Sequence, residues 1–151
     1  MNYIKTERLI LEPLGMKLLN TVHEYASDLE NTKYMMYLPN ETIEETISFL
    51  QSVDDEWQSD ALLFYEYAII YENIHVGAVS LTLCNDMAGE LGWIINKKYQ
   101  RRGIAYEASK ALIEHSAKKL GIKHFIAHCD SENIASYKTM EKLGMTRTAE
   151  H

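Results

Sequence analysis

An apolar strand pattern, Leu91, Trp93, Ile94 and Ile95, runs through a basic loop of Lys97, Lys98, Gln100, Arg101 and Arg102 into Gly103 and the start of a helix. This order of elements builds an anion site. The first turn of a helix leaves backbone N–H groups without intrahelical partners, and the aligned peptide dipoles add partial positive charge there. A phosphate at that end meets several donors at once. Gly103 allows close approach or a positive φ, and Arg101 and Arg102 can add charge-assisted hydrogen bonds. A short basic run by itself reads more readily as a solvated loop. The strand before it and the helix after it favour the anion site.

A chain of 151 residues is long enough for one domain, 1–151, with a substantial core. Hydrophobic residues make up 46% and charged residues 25%, a globular composition. No apolar run approaches the ~20 residues that span a bilayer, and the start lacks the apolar centre of a signal peptide. A cytoplasmic location with no membrane partner is the expectation. Cys84 and Cys129 lie far apart without metal-ligand spacing, so reduced, buried thiols are expected. His128 and Cys129 are strand neighbours that point to opposite faces, so no metal site is expected there. The net charge of −7 argues against nucleic acid as a partner. It is compatible with a cationic acceptor such as an amine, and solubility explains it more simply.

Leu9, Ile10 and Leu11 read as a first strand stopped by Pro13. Leu18, Leu19, Val22, Ala26 and Leu29 recur at helical spacing. Thr42 and Glu45 form a capping box ahead of Ile43, Ile47 and Leu50 on one helix face. Strands around Tyr67 to Tyr71 and Val76 to Leu83, joined by a turn at Glu72 and Asn73, predict an antiparallel hairpin. Val79, Leu81 and Leu83 alternate with Ser80 and Thr82, so one face is buried. After a loop at Asn85 to Gly89 comes the strand that leads to Gly103. The following helix places Ile104, Ala108, Ala111, Leu112 and a partly buried His115 on one stripe and ends at Gly121. A strand at His124 to Cys129 and a helix at Ile134 to Leu143 complete a mixed α/β domain without repeats or linkers.

Three segments then match one family in order: Thr6-Glu-Arg-Leu-Ile-Leu-Glu-Pro-Leu14, Gln100-Arg-Arg-Gly-Ile-Ala105, and Asn133-Ile-Ala-Ser136 with Glu141-Lys-Leu-Gly-Met145. The chain resembles the GNAT superfamily of N-acetyltransferases, and within it the branch of the ribosomal-protein alanine acetyltransferases, whose relatives also acetylate polyamines and other amines. No G-x-G-x-x-G or G-x-x-x-x-G-K-[ST] motif competes with that reading. The resemblance implies a GNAT fold of the α/β (α+β) class, with a mostly antiparallel mixed sheet flanked by helices, and acetyl-CoA as cosubstrate.

By the resemblance, Gln100, Arg101, Arg102, Gly103, Ile104 and Ala105 hold the pyrophosphate of coenzyme A. The strand at Trp93, Ile94 and Ile95 then pairs with the pantetheine arm, and Asn133 hydrogen-bonds it. Glu90 is the candidate base, or else a solvent-facing carboxylate at the strand edge. Many members carry a tyrosine seven residues after the last helix's asparagine, but here that position is Met140. Ser136 is the matching acid candidate in this branch, and Tyr137, on the same helix face, is the second. Read structurally, the same residues are an N-cap at Asn133, a helix-surface serine at Ser136 and core packing at Tyr137.

The family closes its sheet with a strand pair after the last helix, and the residues up to His151 leave room for about one short strand. An unpaired edge there would invite a homodimer. The acceptor, a small-molecule or peptide amine, would meet variable segments such as Met35 to Trp57. The second reading is a catalytically silent acyl-CoA-binding module, motivated by Met140 and the shortened C-terminus.

Overall fold

The computed structural model describes residues 3–33, 39–128 and 133–145. Its sheet has six strands in chain order: β1 (Ile4–Lys5), β2 (Leu9–Pro13), β3 (Phe64–Tyr71), β4 (Ile74–Cys84), β5 (Ala88–Ile95) and β6 (His124–Ala127). Neighbours pair antiparallel up to β5, and β5 pairs with β6 in parallel. A parallel neighbour needs a crossover, which is α3 (Ile104–Leu120). The remaining helices are α1 (Leu19–Ala26), α2 (Ile43–Trp57) and α4 (Ile134–Lys142).

Local chemistry explains most boundaries. The β3–β4 hairpin turns on Glu72 and Asn73 at φ 51° and 65°, the left-handed pair of a tight hairpin. The Thr42 hydroxyl accepts the Glu45 N–H and starts α2. Gly121, at φ 70°, donates to the Ser116 carbonyl and ends α3.

Two apolar layers cover the sheet. On one face Leu9, Leu11, Tyr67, Val79, Leu81 and Leu91 pack on Ile104, Ala108 and Leu112 of α3. On the other, Ala68 and Ala78 meet Leu14, Val22, Tyr25, Leu50 and Val53 from α1, α2 and the chain before them. Each fully buried aliphatic side chain contributes roughly 1.5–3 kcal/mol.

Several expectations need correction. α1 ends at Ala26, leaving Leu29 exposed on the following turn. The buried stripe of α2 is Thr46, Leu50 and Val53, while Ile43 in the first turn is exposed. Gly89 belongs to β5, and the β4–β5 connection is tighter than Asn85 to Gly89, with Asp86 and Met87 both at positive φ. Cys84 is exposed at the end of β4 rather than buried. Cys129 and residues 146–151, where a further short strand was expected, lie outside the described residues, as do residues 35–38 of the expected acceptor segment. No helix among the described residues is long and apolar enough to cross a membrane.

Candidate active site

The loop expected to hold an anion is sharply curled. Arg101 and Gly103 adopt φ 65° and 74° on either side of Arg102, and Gly103 is the N-cap of α3. Alternating handedness turns successive N–H groups toward one concavity, which suits an anion. The first helical bond of α3 runs from Glu107 N–H to the Gly103 carbonyl at 3.0 Å, so the N–H groups of Ile104, Ala105 and Tyr106 precede it. α2 and α4 are capped by the side chains of Thr42 and Asn133, whereas Gly103 brings no side chain to its helix end.

The basic residues divide into two groups. Lys97 Nζ reaches Asp28 at 2.9 Å and Glu30 at 3.6 Å, and Lys98 Nζ reaches Glu24 at 3.6 Å. These pairs tie the loop to α1 and the turn after it. The carboxyl of Asp28 is held below its usual range, first by the Lys97 ammonium that bonds it. Arg101 and Arg102 are exposed and enter no ion pair among the described residues, and Arg102 stacks over Tyr99 at 5.5 Å. Gln100 is structural in part, because its side-chain amide donates to the Ile95 carbonyl at 3.0 Å.

The second component is the edge of β5. The parallel register with β6 runs from Ala88↔His124 to Leu91↔Ala127, while β5 continues to Ile95. Asn96 donates to Val76 of β4 at 2.8 Å, so by strand alternation Ile95 and Trp93 turn their main-chain groups away from β4 and Ile94 turns its own toward it. The Ile95 carbonyl accepts from Gln100 and from Asn31 Nδ2 at 3.1 Å. The outward N–H groups at Trp93 and Ile95 therefore face the space where the two strands have parted. Of the three expected residues, these two face the gap, and the Ile94 side chain packs toward α1 and α2.

Glu90 lies across from Thr82 of β4 and Ile126 of β6, with its side chain 46% exposed. His128 Nε2 lies 3.8 Å from its Oε1. On α4 the Asn133 Oδ1 accepts the Ser136 N–H at 3.2 Å, so that oxygen serves as the N-cap and the side-chain NH₂ is its donor. Ser136 and Tyr137 are both half-buried. Lys142 sits 4.4 Å over the Tyr106 ring and docks the C-terminal end of α4 on the first turns of α3.

Three groups had not been singled out. Asn31 is buried and clamps the end of β5 through its amide, while its Oδ1 accepts the Lys97 N–H. His75 is buried, bonded by Thr21 at Nδ1 and the Gly77 carbonyl at Nε2, and burial pulls its pKa down to about 4. Glu66 is buried on β3, and burial pushes its pKa up to about 8 against a hydrogen bond from Ser80. No local motif marks any of them. His115 is partly buried, as expected, beside a cleft of about 350 Å³ lined also by Trp57, Tyr65 and Tyr67.

The comparisons with known proteins agree with this geometry. The family described as Acetyltransferase (GNAT) domain matches residues 8–146. The N-acetyltransferase YnaD of Bacillus subtilis is 30% identical over 148 residues, covering 96% of this chain and 83% of that protein. The solved GNAT acetyltransferase from Bacillus anthracis superposes with a TM-score of 0.85 at 33% identity, over 97% of this chain and 85% of that one. The ribosomal L7/L12 alpha-N-protein acetyltransferase, solved with coenzyme A, shares the fold at a TM-score of 0.84 and 20% identity, over 98% and 86% of the two chains. The chain belongs to the GNAT family and is an acetyl-CoA-dependent N-acetyltransferase.

Proposed function

We propose that this enzyme transfers the acetyl group of acetyl-CoA directly to a primary amine, with a protein N-terminus, a polyamine or a small amine as the acceptor class. The observation that carries this is the juxtaposition of the Arg101–Gly103 curl with the parted edge of β5. Amides from Arg101 to Ala105 hold the pyrophosphate, Arg101 and Arg102 add charge, and Gln100 braces the loop against Ile95. The pantetheine arm lies along Trp93 to Ile95. The Asn133 NH₂ donates to it, leaving the oxygen as the helix cap.

An ammonium acceptor must lose a proton before it attacks. Glu90, acting through water, is the base. The outward N–H groups of β5 stabilise the oxyanion that forms on the acetyl carbonyl. Ser136, with Tyr137 as its alternate, returns a proton to the leaving thiolate. The acidic balance of the chain favours a cationic acceptor over nucleic acid.

The second reading, a silent acyl-CoA-binding module, is favoured by Met140, which supplies no proton where many family members carry tyrosine. Calorimetric titration with acetyl-CoA followed by thiol release over an amine panel separates the two. Saturable binding with steady release supports transfer. Tight binding with no release across the panel supports the module, and no binding by folded protein overturns both.

A further inference from the structure

The strand registers build a polar row on the α1 and α2 face of the sheet. Glu66 of β3 is opposite Ser80 of β4, and Ser80 is opposite Gly92 of β5. Strands lie about 4.8 Å apart, so the row carries a carboxyl from the sheet interior to the open edge of β5 in two steps. Burial changes along it: Glu66 is buried, whereas Ser80 and Gly92 are half-buried. A Cβ on Gly92 would stand 2.9 Å from the Ser80 oxygen, so glycine keeps the space above that hydroxyl clear. Across the β3–β4 register the Ser80 side chain stands beside the Glu66 carboxyl and favours its charged form.

The groups packed on Glu66 do not offset its charge. α1 supplies the Tyr25 phenol, whose oxygen is buried with no hydrogen-bond partner among the described residues, with the neutral His75 ring 5.6 Å beyond it. α2 supplies Trp57, whose indole N–H is spent on the Glu66 main-chain carbonyl at 3.3 Å. A buried carboxyl without a cation is costly, and packing alone would favour an apolar residue there.

We infer that Glu66 is a second proton acceptor for the substrate amine, reached through the Ser80 hydroxyl. The inference rests on the amine-transfer reading above. The acceptor R–NH₃⁺ gives one proton to the Ser80 oxygen as Ser80 passes its own proton to the Glu66 carboxylate. The amine is left as R–NH₂, Glu66 as the carboxylic acid and Ser80 unchanged. Glu90 stands in the neighbouring row, Phe64–Thr82–Glu90, on the same face, so a surface carboxylate and a deep one serve a single amine. With its pKa near 8, Glu66 is mostly protonated at neutral pH, and this route gains weight as pH rises through that value.

The test is thiol release from acetyl-CoA, with spermidine and an alanine-N-terminal peptide as probes, measured between pH 6 and 9.5. Glu66→Gln is expected to lower kcat by about a hundredfold at pH 8.5 and to erase the inflection near 8, with acetyl-CoA affinity maintained and a melting temperature at that pH no lower than wild type's. Ser80→Ala is expected to give the same profile, and Ser80→Thr, which keeps a hydroxyl, to restore it. The serine pair carries the test if Glu66→Gln fails to fold. Variant profiles that superimpose on wild type overturn the relay alone. Wild-type protein that binds acetyl-CoA but acetylates neither probe overturns the relay together with the transfer reading.

Discussion

Glu107, in the first turn of α3, accepts the backbone N–H of Arg8 at 2.9 Å and the Arg8 Nε at 2.6 Å. The Thr6 hydroxyl donates to the same carboxylate. Partial burial would raise the pKa of Glu107, but these hydrogen bonds outweigh it and hold the carboxyl below its usual range. The contact joins the chain between β1 and β2 to the first turn of α3, and both Glu107 oxygens are engaged by Thr6 and Arg8. Glu107→Ala should therefore cost about 1–3 kcal/mol of stability, read by urea unfolding, and weaken acetyl-CoA binding in calorimetry. Unchanged affinity in a destabilised variant would show that α3 holds its position without the clasp.

Gly103 and Arg101 should respond oppositely. Gly103→Asp places a Cβ at φ 74°, 3.5 Å from the Arg8 guanidinium, and a negative charge at the helix end, so acetyl-CoA binding should be lost. Arg101→Gly relieves a left-handed conformation that costs a non-glycine residue roughly 1 kcal/mol, so the melting temperature should rise while affinity falls with the lost charge. A rise in both would remove Arg101 from the binding site.

Two buried groups give opposite pH dependences. His75 has a folded pKa of about 4, below its unfolded value of 6.5, so the stability of its neutral form is present above 6.5 and lost as pH falls toward 4. Glu66 has a folded pKa of about 8, above its unfolded value of 4.5, so its contribution is present below 4.5 and lost as pH rises through 8. Between pH 6.5 and 8 the Glu66 contribution is the one of the two still changing. Wild-type stability should decline across that window, and Glu66→Gln should flatten the decline. A slope unchanged in the variant would locate the titration elsewhere.

Glu90→Gln should lower turnover about tenfold or more at pH 7 and leave acetyl-CoA affinity unchanged, since Glu90 precedes the parted edge and touches none of the anion loop. Full turnover at every pH would dismiss it as the base.

What the sequence disclosed was local. The capping pair Thr42 and Glu45, the helix end at Gly121 and the hairpin turn at Glu72 and Asn73 are encoded within a few residues of where they act. The left-handed Gly103 at the start of α3 was legible for the same reason. What stayed hidden depends on distant partners: Asn31 meets Ile95, Glu24 bonds the Asn96 amide, and Glu66 meets Ser80 through sheet register. The α2 stripe was misplaced because Ile43 lies in a first turn that overhangs the core, where tertiary position overrides periodicity. Arg101 carries its positive φ although its type gives no hint of one.

In the proposed site most of the donor half is one stretch, from Trp93 at the parted strand to Ala105 in the first turn of α3, with Asn133 added from α4. The proposed acceptor half draws on β3, β4 and β5 on the opposite side of the sheet from α3, under α1 and α2. On that reading the two specificities rest on separate parts of the chain. Insertions and substitutions in the segments around α1 and α2 can retune which amine is chosen while the thirteen-residue donor cassette keeps its geometry, so one scaffold can diversify its clients without relearning its currency.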